Sequence, residues 1–188
     1  MTTDQLYQEL NYVNGTRQSR LKYAGLILDT PSLLPELLDV LFMVDDKISC
    51  RAAWVFEFVC NENLEICIPY LDRFIENIHK VHLDSAVRPV AKVCDYLITA
   101  YYAKKDDFIK KELQPKYRER IIENCFDWMI NDGKMAPKVY AMNALFLLGK
   151  DYDWIHPELA SILERDYQVQ SPGFRARAKH ILNKINKE

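Results

Sequence analysis

The sequence predicts an all-α protein of about ten helices. Apolar residues recur at spacings of three, four and seven along almost the whole chain, the pattern of helices that bury one face. Glycine is scarce, with five residues in 188, and the apolar/polar alternation of strands is nearly absent. Short polar breakers divide the pattern into segments of helical length. A chain of this size can bury a core of its own, as one domain or as a short repeat array.

The breakers place the helices in order along the chain. "NG" separates the first two helices, "DTPS" introduces the third, and "DDK" and "NEN" bound the fourth. A histidine-containing segment ends the fifth, and "NDGK", "GKDYD" and "QSPG" separate the last four. The predicted helices are Thr3–Val13, Arg17–Leu28, Ser32–Val44, Cys50–Cys60, Leu64–His79, Ser85–Ala103, Pro115–Ile130, Pro137–Leu148, Trp154–Asp166 and Pro172–Ile185.

Two series of short motifs interlock along these helices. "CRAAW", "VRPVA", "PKVYA" and "FRARA" each place a basic residue three positions before an alanine or an aromatic residue. Those basic residues, separated by 37, 50 and 37 positions, are Arg51, Arg88, Lys138 and Arg175. Alternate helices carry a proline followed two positions later by leucine, at Pro35, Pro69 and Pro157. The longer middle interval places extra residues near 101–117, as either a binding loop or an elongated helix with a charged connector.

A proline helix interlocked with an Arg-x-x-Ala helix at a period of about 37 resembles the HEAT repeat of HEAT-like and ARM-like proteins. "DSAVRPVAKV", Asp84 to Val93, carries the acidic turn, the Val-Arg pair and the following alanine of that repeat, and "PKVYAMNALFLLG" matches its Leu-Gly ending. The resemblance covers about residues 32–188 and implies a right-handed α-α superhelix. It predicts one domain over 1–188, with an atypical N-terminal cap over 1–31, repeats over 32–170 and a C-terminal capping helix over 171–188.

The whole chain also looks like a family of small bacterial proteins with "RAAWVFEFVC", "VRPVAKVC" and "FDWMI…WIHPEL" in this order. Members of that family sometimes carry the name adenylosuccinate lyase. Such lyases are much longer and rely on a glycine-rich flexible loop that contains serine. The nearest string here, "GKMAPKVYAMN", lacks serine and is typical of a helix start, so lyase activity is the least favoured hypothesis.

The HEAT-like pattern also predicts a ladder of ion pairs between repeats. In such arrays an acidic residue in the turn pairs with the basic start of the next helix. Asp45 and Asp46 precede Arg51 at a suitable distance, and the other helix starts have acids before them as well. The predicted inter-repeat ladder comprises Arg51, Arg88, Lys138, Arg175, Asp84 and Asp132.

Two carboxylates stand in columns of the repeat that are otherwise small or apolar. Glu57 aligns with Cys94, and Asp95 aligns with Phe58. Burying either carboxylate unpaired would cost several kcal/mol. They therefore either pair with Arg88, Lys92 or a tyrosine hydroxyl, or form the polar floor of a concave pocket walled by aromatic residues. The predicted concave-face residues are Trp54, Glu57, Arg88, Lys92, Asp95 and Tyr140.

The remaining patterns bound the function. The net charge of -2 gives no overall electrostatic attraction for nucleic acid. Neither a leader segment nor an apolar run of membrane-spanning length is present, so we expect a cytoplasmic protein without membrane contact. Five scattered cysteines without a CxxC pair predict buried thiols and no metal or other cofactor. We also expect Trp128 and Trp154 to pack in the core.

The function predicted first is a non-catalytic scaffold that holds an unidentified protein or peptide partner on its concave face. The alternative is a relative of the alkylpurine DNA glycosylases built from HEAT-like repeats, which place aromatic residues and an aspartate on their concave face. Trp54, Glu57 and Asp95 would be the analogous set, by analogy of residue type only. Nucleic acid is thus a possible partner but not the favoured one.

Overall fold

The structure, a computed structural model, describes residues 1–103, 107–131 and 135–187. Within these ranges the chain forms eleven α-helices and no strand, which confirms the all-α class. The helices are α1 (Thr3–Leu10), α2 (Arg17–Asp29), α3 (Leu34–Leu41), α4 (Ile48–Glu62), α5 (Leu71–Ile75), α6 (Asp84–Tyr102), α7 (Asp107–Glu112), α8 (Pro115–Ile130), α9 (Met135–Leu148), α10 (Ile155–Asp166) and α11 (Pro172–Ile185).

The fifth predicted helix is the largest departure from expectation. Instead of one helix over 64–79, the chain forms a 3-10 turn (Leu64–Tyr70), the short helix α5 and a second 3-10 turn (Ile78–Lys80). Pro69 lies inside the first turn, where it has no amide proton to donate to a helical hydrogen bond. The additional helix α7 lies in the charged segment for which the sequence analysis left two alternatives.

Five helices lie side by side in the order α2, α4, α6, α9 and α11, and we call them the central row. Helices α1 and α3 pack against α4, while α8 and α10 pack against α9. The basic motifs stand on four members of this row, and Pro35 and Pro157 stand on α3 and α10. This order of contacts is the one expected of stacked helix pairs. The right-handed superhelix and the domain boundaries stay predictions.

One continuous cluster of buried apolar side chains joins the helices, with Phe56 against Phe74 at a ring separation of 5.0 Å. The turn from α9 to α10 is closely packed: a Cβ on Gly149 would overlap the ring of His156, whose Nε2 lies 2.9 Å from the carbonyl oxygen of Phe146. This contact fixes the start of α10 against the end of α9. Over the described residues, every helix is too short or too polar to cross a membrane.

Candidate functional site

Polar and aromatic side chains form a continuous set of contacts across the central row, which we call the polar ladder. Its members stand at helical spacing on each helix, so each helix presents them on one face. The polar ladder comprises Arg20 on α2; Trp54, Glu57 and Asn61 on α4; Arg88, Lys92, Asp95 and Tyr96 on α6; Tyr140 and Asn143 on α9; and Arg177 on α11.

Glu57 lies at the centre of the polar ladder, buried with 2% of its surface exposed. Arg88 Nη2 donates to its Oε2 over 2.9 Å, and Lys92 Nζ donates to its Oε1 over 2.7 Å. The two cations keep 31% and 25% of their side chains exposed, so they reach the carboxylate from the edge of the interface. Both oxygens of Glu57 are thereby engaged. The ion pair expected for this residue is present, and Glu57 does not form the floor of an open pocket.

The contacts of Lys92 favour its charged form. Burial by itself lowers the pKa of Lys92, but the hydrogen bonds to Glu57 and Tyr96 and the charge of Glu57 outweigh burial, so the pKa is raised. Lys92 is therefore a permanent cation at neutral pH. Tyr96 in turn donates from its hydroxyl to Asn61 Oδ1 over 2.8 Å, which adds a second polar contact between α4 and α6.

Asp95 is held from the next helix of the row. Asn143 Nδ2 on α9 donates to Asp95 Oδ1 over 2.6 Å, and Arg177 Nη2 on α11 donates to Asn143 Oδ1 over 3.0 Å. Burial raises the pKa of Asp95, while the bond from Asn143 and the charge of Arg177 lower it by less. The hydrogen bond expected from Arg88, Lys92 or a tyrosine hydroxyl is thus supplied by an amide, because α9 is the helix that packs over this end of α6.

The aromatic faces of the polar ladder are covered by cations of the chain itself. The guanidinium of Arg20 lies 4.7 Å from the ring centroid of Trp54, whose Nε1 donates to the Ser85 carbonyl over 2.8 Å. Lys92 Nζ lies 6.0 Å from the ring of Tyr140. Burial lowers the pKa of Arg20, the neighbouring charge of Arg88 lowers it further, and the charge of Glu57 raises it by less. The two guanidinium groups therefore repel each other.

The ladder of turn acids and basic helix starts needs correction at Arg51. Its Nη1 donates to the carbonyl oxygen of Asn11 over 2.5 Å and to that of Leu10 over 3.4 Å, so it binds the backbone at the end of α1. Of the two acids expected to pair with it, Asp46 instead accepts from the Tyr7 hydroxyl over 2.8 Å and from the Ile48 amide over 3.0 Å, and Asp45 Oδ1 lies 3.5 Å from His82 Nε2.

The other predicted members of that ladder are placed as follows. Arg88 binds Glu57 on the preceding helix of the row, and Asp84 is exposed at the start of α6. Lys138 is buried with 4% exposed, while Arg175 is half-buried near the start of α11. Asp132 lies outside the described residues. Between helices of the central row, the polar pairing of carboxylates is thus made mid-helix, at Glu57 and Asp95.

The sequence prediction missed five members of the polar ladder: Arg20, Asn61, Tyr96, Asn143 and Arg177. A signal was available for Asn143, because it stands five residues after Lys138, at the position that Phe56 and Val93 hold after Arg51 and Arg88. A polar side chain at a position that is otherwise apolar predicts a polar partner, as the carboxylate of Glu57 does.

The charges of the polar ladder do not balance. Four cations (Arg20, Arg88, Lys92 and Arg177) face two carboxylates (Glu57 and Asp95), which gives a local charge of +2 in a chain whose net charge is -2.

No group of three or more histidine, cysteine or acidic side chains that could hold a metal occurs in the part of the chain that the structure describes. Comparisons with protein-family models, curated proteins and solved structures gave no significant match to this chain.

Proposed function

We propose that this protein is a non-catalytic helical scaffold that binds an acidic segment of a partner protein along the polar ladder. The cationic excess of that face carries the proposal. Arg20 is the clearest part of the excess, because its guanidinium is half-buried between aromatic rings, lies near another cation, and has a buried Nε without a hydrogen-bond partner. A carboxylate of a partner between Arg20 and Arg88 would relieve their repulsion.

The dimensions of the central row favour an extended chain segment as the partner. Packed helices lie about 8–10 Å apart, so five in a row span about 35 Å. An extended peptide covers about 3.3 Å per residue, so ten or eleven residues would cross the whole row. Aromatic rings at Trp54, Tyr96 and Tyr140 lie between the cations and offer apolar contact along the same path.

The contacts within the polar ladder favour binding over catalysis. A glycosylase of the HEAT-like type would use the face of Trp54 for stacking and a free carboxylate to stabilise a cationic sugar. Here Arg20 covers Trp54, and Arg88 and Lys92 occupy both oxygens of Glu57. Asp95 accepts from Asn143. We therefore keep nucleic acid as an outcome of the test, and do not propose lyase activity.

Fluorescence anisotropy with defined probes tests the proposal. The probes are a labelled twelve-residue peptide rich in glutamate, a basic peptide of the same length and a DNA duplex of matched length, each at low salt. We expect the acidic peptide to bind and the other two probes not to bind. Arg20→Ala should weaken it about tenfold, equivalent to about 1.4 kcal/mol. Arg165→Ala, which removes an exposed arginine bonded to its neighbour Asp166, is the matched control and should leave binding unchanged.

Three results would overturn the scaffold proposal. They are no binding of the acidic peptide at millimolar concentration, equal binding by the Arg20→Ala variant, and tighter binding of DNA with a steep salt dependence. The last result would favour the nucleic-acid alternative. Turnover of adenylosuccinate by the purified protein would favour the lyase.

A further inference from the structure

An open pocket of about 470 Å³ lies between α8 and the segment that enters α10. Its lining residues are Glu119, Ile122, Glu123, Phe126, Tyr152 and Trp154, none of which belongs to the polar ladder. The volume is within the range of sites that hold small molecules or single side chains. Any function of this pocket is therefore independent of the function proposed for the central row.

Trp154 is the most unusual residue of the pocket. The sequence predicted a core position for it, but 55% of the residue is exposed to solvent. Its indole stacks on the ring of Phe126, with centroids 5.5 Å apart and an interplanar angle of 23°. Two large rings held together at the surface present an apolar face that water does not solvate well, and tryptophans in such positions often mark binding sites.

The charge of the pocket is negative. Glu119 and Glu123 lie four residues apart on the same face of α8, and no lysine or arginine stands among the described residues that line the pocket. Glu123 Oε2 accepts from Arg120 Nη1 over 2.9 Å, but 60% of the glutamate and 52% of the arginine side chain are exposed. An ion pair this exposed is weak and exchanges readily, so it does not block the carboxylate.

Aromatic rings beside carboxylates are the chemistry that recognises organic cations. The chain itself provides an example next to the pocket. The guanidinium of Arg118 lies 4.5 Å from the ring of Tyr101 and 5.7 Å from that of Tyr152, and its Nη1 donates to Asp151 Oδ2 over 2.7 Å. A ligand with the same groups would find rings and carboxylates of the same kind in the pocket.

We propose that this pocket binds an organic cation of the guanidinium or alkylammonium class. The cation lies against Trp154 and faces the carboxylates of Glu119 and Glu123. The ligand is either a free small molecule or a lysine or arginine side chain carried by a peptide. Both sources share this chemistry, and the pocket is open enough to admit either.

NMR titration of the ¹⁵N-labelled protein tests the proposal through the indole N–H signal of Trp154, which is assigned by its loss in Trp154→Phe. The probes are N-acetyl-arginine amide, its neutral isostere N-acetyl-citrulline amide, and the peptide Gly-Gly-Arg-Gly-Gly. We expect a saturable shift with the arginine amide and at least about fivefold weaker binding of the citrulline amide. Tighter binding of the peptide than of the amide would assign the source to a peptide, and equal binding would assign it to a free cation.

Matched variants separate a specific site from a general surface effect. Glu119→Gln should weaken the arginine amide about threefold, as expected for an exposed carboxylate. Glu158→Gln, which changes an exposed residue of α10 outside the pocket, should not. Equal shifts with the citrulline amide, no shift at 50 mM arginine amide, or equal effects of the two variants would overturn the proposal. The signal of Trp54, whose indole is bonded within the chain, is the internal reference.

Discussion

Replacement of Glu57 by alanine tests the physical account of the polar ladder most directly. The change removes a buried carboxylate and leaves Arg88 and Lys92 beside an apolar surface. Removal of one partner of a buried ion pair typically costs about 3–5 kcal/mol. Because both cations are partly exposed, they can turn toward water, so we expect the lower end, about 3 kcal/mol. Glu57→Gln keeps the shape and one acceptor, and should cost about 1–2 kcal/mol.

Urea unfolding and thermal melts, both followed by circular dichroism, measure the changes in unfolding free energy and in Tm. For a domain of this size, a loss of about 3 kcal/mol corresponds to a decrease of roughly 6–12 °C in Tm. The difference from the unmodified protein should be similar at low and high salt, because solvent ions screen buried pairs poorly. Asp72→Ala is the surface control: its carboxylate and Lys116 Nζ are 2.8 Å apart, but both side chains are mostly exposed, so Tm should not change.

The result that would refute this reasoning is a cost below about 1 kcal/mol for Glu57→Ala. A cost as large in Asp72→Ala would refute it as well, because burial would then not distinguish the two pairs. Replacement of Glu57, Arg88 and Lys92 together by apolar residues should recover much of the stability that Glu57→Ala loses, since no buried charge is then left without a partner.

Three further predictions concern Asp95, two glycines and the cysteines. Burial raises the pKa of Asp95, so the folded state holds its proton more tightly, and stability should fall as pH rises from the unfolded pKa of about 3.9 through the folded pKa. Asp95→Asn should flatten that part of the profile of unfolding free energy against pH, and an unchanged slope would contradict this. Gly149→Ala should lower Tm because the added methyl group displaces His156. Gly25→Ala, in the middle of α2 with open space around it, should raise the free energy of unfolding by about 0.5–1 kcal/mol. Thermal melts test both directions of change. A thiol-reactive reagent should label the native protein only slowly and should label five thiols in urea. The reason is that all five cysteines are buried and that burial raises the pKa of Cys60, Cys94 and Cys125. Rapid labelling without urea would contradict this prediction.

Helix positions were predictable because apolar periodicity is a local property of the chain. The predicted limits of the Pro115–Ile130 and Pro172–Ile185 helices are those of α8 and α11. The prediction failed where a local conflict changed the backbone, as at Pro69, and where polar composition hid a short helix, as at α7. A pattern of spacing shows where a helix can form but does not weigh a single proline against the apolar residues around it.

Part of the site was predictable from the repeat alignment. Glu57 broke its column, and the requirement for a partner led to Arg88 and Lys92 because these residues lie in the first half of the next helix of the row. Partners farther along the row, such as Arg20, depend on which side chains meet between helices, and sequence spacing does not provide that geometry. The exposure of Trp154 was missed for the same reason: periodicity shows that a face is apolar, but not that another helix covers it.

The polar ladder also explains how neighbouring helices of the central row keep their register. Apolar side chains alone can pack in several registers along a helix, whereas a buried carboxylate has few positions in which both of its oxygens are satisfied. Arg88 and Lys92 stand about one turn apart, so a slide of α6 along α4 by one turn, about 5.4 Å, would leave Glu57 within reach of only one of the two cations. Substitutions that unpair Glu57 should therefore change mainly stability, whereas loss of Arg20, which makes no ion pair among the described contacts and meets the charge of Glu57 only at longer range, should change mainly binding.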